Sequence, residues 1–533
     1  MFSELINNLI KETTGNGLNF FSAELWLSGT IVAMLLFRLF SLDRLVPTAF
    51  VGMIGAGLAV WYSFGQFQAI EADQSIVFFG GMLRQDLFSI YFRIFLSLFL
   101  ILTIALTVLT GIPDNEDAPD FYSLLFGATI GMMLMASANN LLILFLGVEM
   151  ASVPSYVMVG FLKGRKSSSE ASLKYVVYGA GAAGVMLYGI SLVAGVLGTG
   201  DMSLLADHLK VVSSGAAGLA DPEVRTVALG VMLVMVGLAF KLSLVPFHFW
   251  CPDAFEGASA EVAGFLSVAS KAGAFGLLVR FCIGLSGVPE TAALMTAFGV
   301  ALGAVAIVTV TFGNLAAYTQ TNLKRLFAYS TIAHAGYMLM AVSAMLVMIN
   351  SDQAAALSKE INYSIGGLLY YLAVYLFMNL GAFAVIALVR NYTFDEDISS
   401  FKGLMTQSPA LAIGMAICIF SLIGMPPFGG FFAKLMIFAS VYKAAGLHWF
   451  MYIVLAAGGL NTVFSLFYYV RILKAMFLEE RPAEARKVSV PAVEGSYVLV
   501  LAAMVFLMGV LPGLANGLSS IANSAGSAVV SGK

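Results

Sequence analysis

Four charged side chains stand in runs that are otherwise apolar: Glu149, Lys241, Lys271 and Lys434. A charge in the middle of hydrocarbon costs roughly 2.5–3.5 kcal/mol even on a lenient insertion scale, so the four together cost on the order of 10 kcal/mol if unpaired. Burial disfavours the charged form of either group and pairing favours it, so each can be switched by its neighbour. That is the chemistry of a proton relay. Glu149 has no basic residue three or four positions away, so its expected partner comes from another helix, and Lys241 is that partner. Pro246 follows Lys241 and removes a backbone hydrogen bond near it. Lys271 lies midway between Val262 and Arg280 and is too deep to snorkel to either interface. Lys434 comes two helical turns after Pro426 and Pro427. The competing reading of all four is a set of ion pairs that only fix helix positions.

Several further groups are accessory candidates. His248 follows Pro246, and His334 lies in an apolar run; both can carry protons near neutral pH. Lys174 is paired on paper with Glu170 at i,i+4, behind a capping box Ser167-x-x-Glu170, one turn inside the membrane. Asp253, Glu256 and Glu261 form an acidic group expected in an external loop, either solvated or a proton exit. Arg93, two turns after Asp86, is expected to pair with it at the interface.

These residues need helices to hold them. Of 533 residues, 60% are hydrophobic and only 11% charged, against about 25% charged in soluble domains. The apolar runs are of helix length, not the roughly 10-residue alternation of a barrel strand. The chain is therefore read as an all-α polytopic membrane protein of about 14 spans, from Phe21–Phe40 to Tyr497–Leu514. The charges fall in the fifth (Leu141–Leu162), seventh (Thr226–Trp250), eighth (Val262–Ile283) and twelfth (Ala410–Tyr442). As one helix the twelfth would run about 50 Å, beyond a roughly 30 Å core. Gly424-Met-Pro-Pro-Phe-Gly-Gly430 should break it, as Pro246 should break the seventh. Interrupted helices at matching places in two five-helix blocks mark an inverted repeat with a site near the midplane. The expected division is residues 1–120 (spans one to three), 121–285 (first repeat), 286–480 (second repeat) and 481–533 (a C-terminal helix). A small hairpin is expected over Gln74–Arg84.

Net charge is −3, and no basic face argues for nucleic acid. The three cysteines, Cys251, Cys282 and Cys418, are scattered, which points to packing and not to a metal site. Gly179-x-Gly181-x-x-Gly184 lies inside an apolar helix and reads as small residues for helix packing, not as a dinucleotide site. No Walker A loop occurs, so the chain offers no means of holding NADH, flavin or an iron–sulfur cluster. Met1–Asn19 is polar and carries Lys11, unlike a cleavable signal. Lysines and arginines concentrate after odd-numbered spans (Lys163–Lys166, Lys324, Arg325, Arg390, Arg471), which puts those loops in the cytoplasm and both termini outside.

Leu146-Gly-Val-Glu149, Ser169-Glu-Ala-Ser-Leu-Lys174-Tyr, Val245-Pro246-Phe-His248-Phe-Trp250, Asn322-Leu-Lys324-Arg325 and Gly424-Met-Pro426-Pro427 form a specific set. The chain resembles the antiporter-like membrane subunits of respiratory complex I and the Mrp antiporters over about Phe121–Leu478. A lysine at Lys434, and an end soon after the fourteenth span, favour the N-type members. The resemblance implies a coupling pair Glu149–Lys241, a central relay Lys271, an outward-passing Lys434 and an accessory Lys174. It implies NADH, FMN, iron–sulfur clusters and quinone in other subunits, neighbouring antiporter-like and small membrane subunits as partners, and a bacterial plasma membrane. Cys251 stands where an apolar residue is expected. A cation/proton antiporter, a membrane subunit of a related hydrogenase and a non-pumping scaffold fit the same sequence.

Overall fold

The computed structural model describes the chain except residues 1–9, 11–14, 16, 72–73, 115, 163, 214–220, 483–485 and 533. Lys11, Lys163 and Lys533 therefore lie outside the described residues. The membrane helices are α1 (Ser22–Leu39), α2 (Thr48–Ala69), α3 (Leu87–Thr110), α4 (Ala118–Ser137), α5 (Leu141–Val159) and α6 (Lys166–Leu197). The seventh crossing is broken into α7a (Pro222–Leu242) and α7b (Trp250–Gly257). Then come α8 (Ala260–Leu285), α9 (Pro289–Ala317), α10 (Leu323–Ile349) and α11 (Ser358–Thr393). The twelfth is broken into α12a (Pro409–Ile423) and α12b (Gly429–Ala445), before α13 (Phe450–Phe477), α14 (Ala492–Val510) and α15 (Pro512–Ser531). Among the described residues thirteen helices are long and apolar enough to span a bilayer; the fourteenth expected crossing is the divided α12. Between α2 and α3, strands β1 (Ile76–Phe78) and β2 (Leu83–Gln85) pair antiparallel with Val77 opposite Arg84, the expected hairpin.

Helices α8, α10 and α11 are almost wholly enclosed by the others, whereas α1, α6 and α13 present most of their surface outward. Hydrocarbon gives apolar helices no reason to associate, so close backbone approach must supply the packing. Glycine provides it at equivalent places in each half. A Cβ on Gly131 of α4 would lie 2.5 Å from the Ala151 nitrogen of α5, and one on Gly313 of α9 2.7 Å from the Ala333 nitrogen of α10. Of the three glycines in the 179–184 motif, only Gly179 meets a neighbour, the Tyr156 hydroxyl; Gly181 and Gly184 face open space. Contact between α6 and α7a runs instead through Gly189 and Gly230.

Five sequence expectations are corrected, three here and two at the site. Arg93 does not pair with Asp86: its Nε lies 2.7 Å from Glu24, and Asp86 takes Arg280 in a two-toothed contact at 2.9 and 2.7 Å. Both pairs are buried, so the guanidinium fork, not sequence proximity, chose the partners. The capping box at Ser167 is not formed, because α6 begins earlier, at Lys166, with Arg165 as its cap. The C-terminal segment holds two helices, since α14 stops before Pro512 and α15 then packs on α11 and α3. Its Ser/Asn/Gly-rich sequence hides a narrow stripe, Ala522, Ala525 and Val529, which is buried. The other two concern the acidic group and the expected Glu149–Lys241 pair.

Substituting Gly313 by valine should force α9 and α10 apart, at a cost of at least ~1–3 kcal/mol. Gly459→Ala, where a Cβ meets nothing, is the matched control. Native-gel analysis of solubilised membranes should show lost assembly for the first and intact assembly for the second.

Candidate relay site

Interrupting a helix inside a membrane leaves carbonyls at its C-terminal end with no intrahelical partner and a partial negative charge. Both breaks in this chain answer that problem with a lysine. At the first, Ser243 takes a left-handed conformation (φ 58°) and stops α7a. Lys271 Nζ, from α8, donates to the Leu242 carbonyl at 2.9 Å and to Ser243 Oγ at 3.1 Å. Trp250 Nε1 closes the gap from α7b by donating to the Phe240 carbonyl at 2.9 Å. At the second, Gly424 (φ 88°) ends α12a. Lys434 Nζ donates to the Leu422 and Ile423 carbonyls at 3.0 and 2.9 Å and sits 4.5 Å from the Tyr337 ring centroid. The lysine serving the first break comes from the next helix, whereas Lys434 serves its own.

Lys241 is fully buried in the last turn of α7a and donates to Ser152 Oγ at 3.0 Å. It forms no ion pair with Glu149, so the expected direct pair is not made. Ser152, three residues after Glu149 and about one turn along α5, takes the lysine and itself donates to the Val148 carbonyl, while Glu149 stays within electrostatic reach of Lys241. Glu149 itself is only half-buried, on the outward side of α5. The four relay candidates are thus gathered on α5, α7a, α8 and α12b, with Lys241, Lys271 and Lys434 each 4% exposed or less.

His334 sits among the tyrosines of α10, α11 and α13. Its Nδ1 shares a 2.7 Å hydrogen bond with the Tyr371 hydroxyl, and Tyr469 approaches Nε2 at 3.5 Å. Its ring lies 6.0 Å from Tyr337 and 5.1 Å from Tyr375. Tyr375 donates to Thr331, and one turn further along α11 Asn379 donates to Ser267 of α8. Ser267 is one turn before Lys271. A buried polar sequence therefore runs from Lys271 through Ser267, Asn379, Tyr375, His334 and Tyr337 to Lys434. Sequence reasoning missed Ser152, Asn379 and the tyrosines. Their signal was weak, a scatter of hydroxyls and one amide on apolar helices.

His248 is not part of this set. It is buried in the first break between the rings of Phe249 and Phe312, and its Nδ1 has no hydrogen-bond partner. Lys174 sits at the edge, 2.8 Å from Glu170 and 2.9 Å from Asp253. Asp253 and Glu256 also take Arg325 at 2.6 and 2.7 Å. The acidic group therefore lies with Arg325 on the basic face, not in an external loop opposite it. Its third member, Glu261, is not in a loop at all but buried at the start of α8. Burial works against the Asp253 carboxylate, but its bonds to Lys174 and Arg325 outweigh this and hold it below the usual carboxylate range. A depressed carboxylate contributes fully above its ordinary value and is lost only as pH falls through the lower folded one, so this clamp is closed at neutral pH.

Residues 138–464 match the family described as NADH:quinone oxidoreductase/Mrp antiporter, TM. The chain is 37% identical over 474 residues to NADH-quinone oxidoreductase subunit N of Anaeromyxobacter sp., covering 85% of each chain. It is 35% identical to subunit N 2 of Sorangium cellulosum, covering 92% of this chain and 94% of that one. Among solved structures it is similar to a chain of respiratory complex I from Thermus thermophilus, with TM-score 0.72, 29% identity and coverage of 92% and 98%. A chain of the Mrp complex from Dietzia sp. has the same fold, with TM-score 0.78, 18% identity and coverage of 96% and 99%.

Ser152→Ala removes the bond that holds Lys241. A hydrogen bond to a charged group contributes about 1.5–3 kcal/mol, so NADH oxidation coupled to proton uptake should fall several-fold while assembly stays intact. Unchanged coupled oxidation in membranes would show that Ser152 does not position the lysine.

Proposed function

The chain belongs to the NADH:quinone oxidoreductase/Mrp antiporter membrane family, and from that premise we propose that it is the proton-translocating subunit N of an NADH-quinone oxidoreductase. The observation that carries the reading is the pair of broken helices, each with a buried lysine on its free carbonyls. A lysine held by carbonyl dipoles has no fixed counter-charge. Its ammonium is bound while the half-helix end faces it and released when that end turns away. Moving one proton against 100 mV needs about 2.3 kcal/mol, less than twice the 1.36 kcal/mol equivalent of one unit of proton affinity. Small rearrangements at each break are on that scale.

In this reading electrons never enter the chain. NADH, FMN, iron–sulfur clusters and quinone belong to other subunits, and their reaction changes the charge felt by the half-exposed Glu149 at the outer side of α5. Glu149 acts on Lys241 through its charge, within whose reach the lysine lies, and Ser152 holds the lysine in place. Lys241 and Lys271 exchange a proton across the first break, and the Ser267–Asn379–Tyr375–His334–Tyr337 sequence passes it to Lys434 for release. Lys174 is an accessory group at the input edge. The partners are other membrane subunits of the complex, the location is a bacterial plasma membrane, and both termini face outside.

Arginine tests this reading because it keeps the charge but does not give up its proton. In inverted vesicles energised with NADH, Lys434→Arg and Lys434→Ala should both assemble, and both should lose proton uptake by ~10²-fold or more. Normal uptake with arginine would show that position 434 needs charge and not proton exchange. Uptake that followed a sodium gradient without NADH would favour an independent antiporter.

A further inference from the structure

We propose that Glu261 is the proton-collecting group of this chain, loading Lys271 along α8 from the basic face. This rests on the relay reading above. Glu261 is 1% exposed and neither of its carboxylate oxygens has a hydrogen-bond partner. It is the sole acid in α8. A buried polar atom without a partner needs an explanation, and a carboxylate needs one most, because an uncompensated buried charge is costly. The nearest cation does not supply it. Lys324 lies within electrostatic reach of Glu261, but its ammonium is committed to Glu396 at 2.9 Å and to the Ala258 carbonyl at 2.5 Å, and Arg390 shares Glu396. Glu261 thus stands buried beside a closed ion network, with neither oxygen hydrogen-bonded within the protein.

The way inward has the same character. Glu261 is about 15 Å from Lys271 by helical rise. Between them Ser267 receives the Asn379 amide, while Asn379 Oδ1 and Ser270 Oγ are buried and unpartnered. These are the groups that bridging waters satisfy in protein interiors. Residues Leu266–Ser270 form a π-turn that ends at Lys271, a local widening often found at functional sites. The step is a transfer. A proton from water on the basic face forms an O–H bond on Glu261. That bond breaks as a proton is passed through the Ser267, Asn379 and Ser270 region, and an N–H bond forms on the neutral Lys271 amine.

The test uses the assembled complex in inverted vesicles, with Glu261→Gln, Glu261→Asp and Lys271→Ala compared for assembly, NADH oxidation and proton uptake. Glu261→Gln should assemble and lose at least ~10-fold in uptake, Glu261→Asp should recover much of it, and the redox-induced infrared difference spectrum should lose a carboxylic-acid C=O band in Glu261→Gln. Wild-type uptake in Glu261→Gln, or no better uptake with aspartate than with glutamine, overturns the proposal. Should Glu261→Gln fail to assemble, Glu261→Asp decides alone: retained uptake supports the assignment and lost uptake with intact assembly overturns it. Normal uptake in Lys271→Ala brings down the relay reading itself, a result distinct from any behaviour of position 261.

Discussion

Every backbone polar group at membrane depth must find a partner, because lipid offers none. A continuous helix meets that rule internally; a broken one does not. This chain breaks two helices, and the architecture follows from what those ends require. The freed carbonyls of Leu242, Leu422 and Ile423 are acceptors that call for donors, and an ammonium supplies three. In turn, an ammonium in hydrocarbon calls for acceptors. Break and lysine each make the other tolerable. The enclosed α8, α10 and α11 then supply the low-polarity surroundings in which such a contact is strong.

The buried arginines show what these lysines are not. Arg93 with Glu24, and Arg280 with Asp86, are guanidinium–carboxylate contacts in which both partners are charged and fixed. Such pairs hold helices in register, and removing one partner strands a charge. Lys271 and Lys434 touch neutral dipoles instead, so losing a proton costs them a hydrogen bond and leaves no orphaned counter-ion. The arginines are thus held by fixed counter-charges and Lys271 and Lys434 by carbonyl dipoles.

Much of this was legible in the sequence because the membrane makes the code strict. Lys241, Lys271 and Lys434 stood out as charges in apolar runs, and Pro246 and Gly424–Gly430 announced the breaks. What stayed hidden depended on how helices meet. No pattern along α5 told that Ser152, not Glu149, would receive Lys241. Arg93 looked as though it belonged to Asp86 because they share a helix face, while the true partner arrives from α1. Asp253, Glu256 and Glu261 read as one acidic group, yet the last is carried inside by the start of α8. The helix Pro512–Ser531 escaped notice because its buried stripe is made of alanines.

Asp253 sits on the short helix α7b and binds Lys174 of α6 and Arg325 of α10 at once. One of those helices precedes the first break in the chain and the other follows α8 and α9. The second half of the first interrupted helix is thereby moored to both neighbours by a single carboxylate. It is not a flap that swings within its own half. A displacement of α7b that unseats Trp250 from the Phe240 carbonyl must also tug on α10, the helix that carries His334 and Tyr337. Like a keystone, α7b bears on both neighbours through one carboxylate.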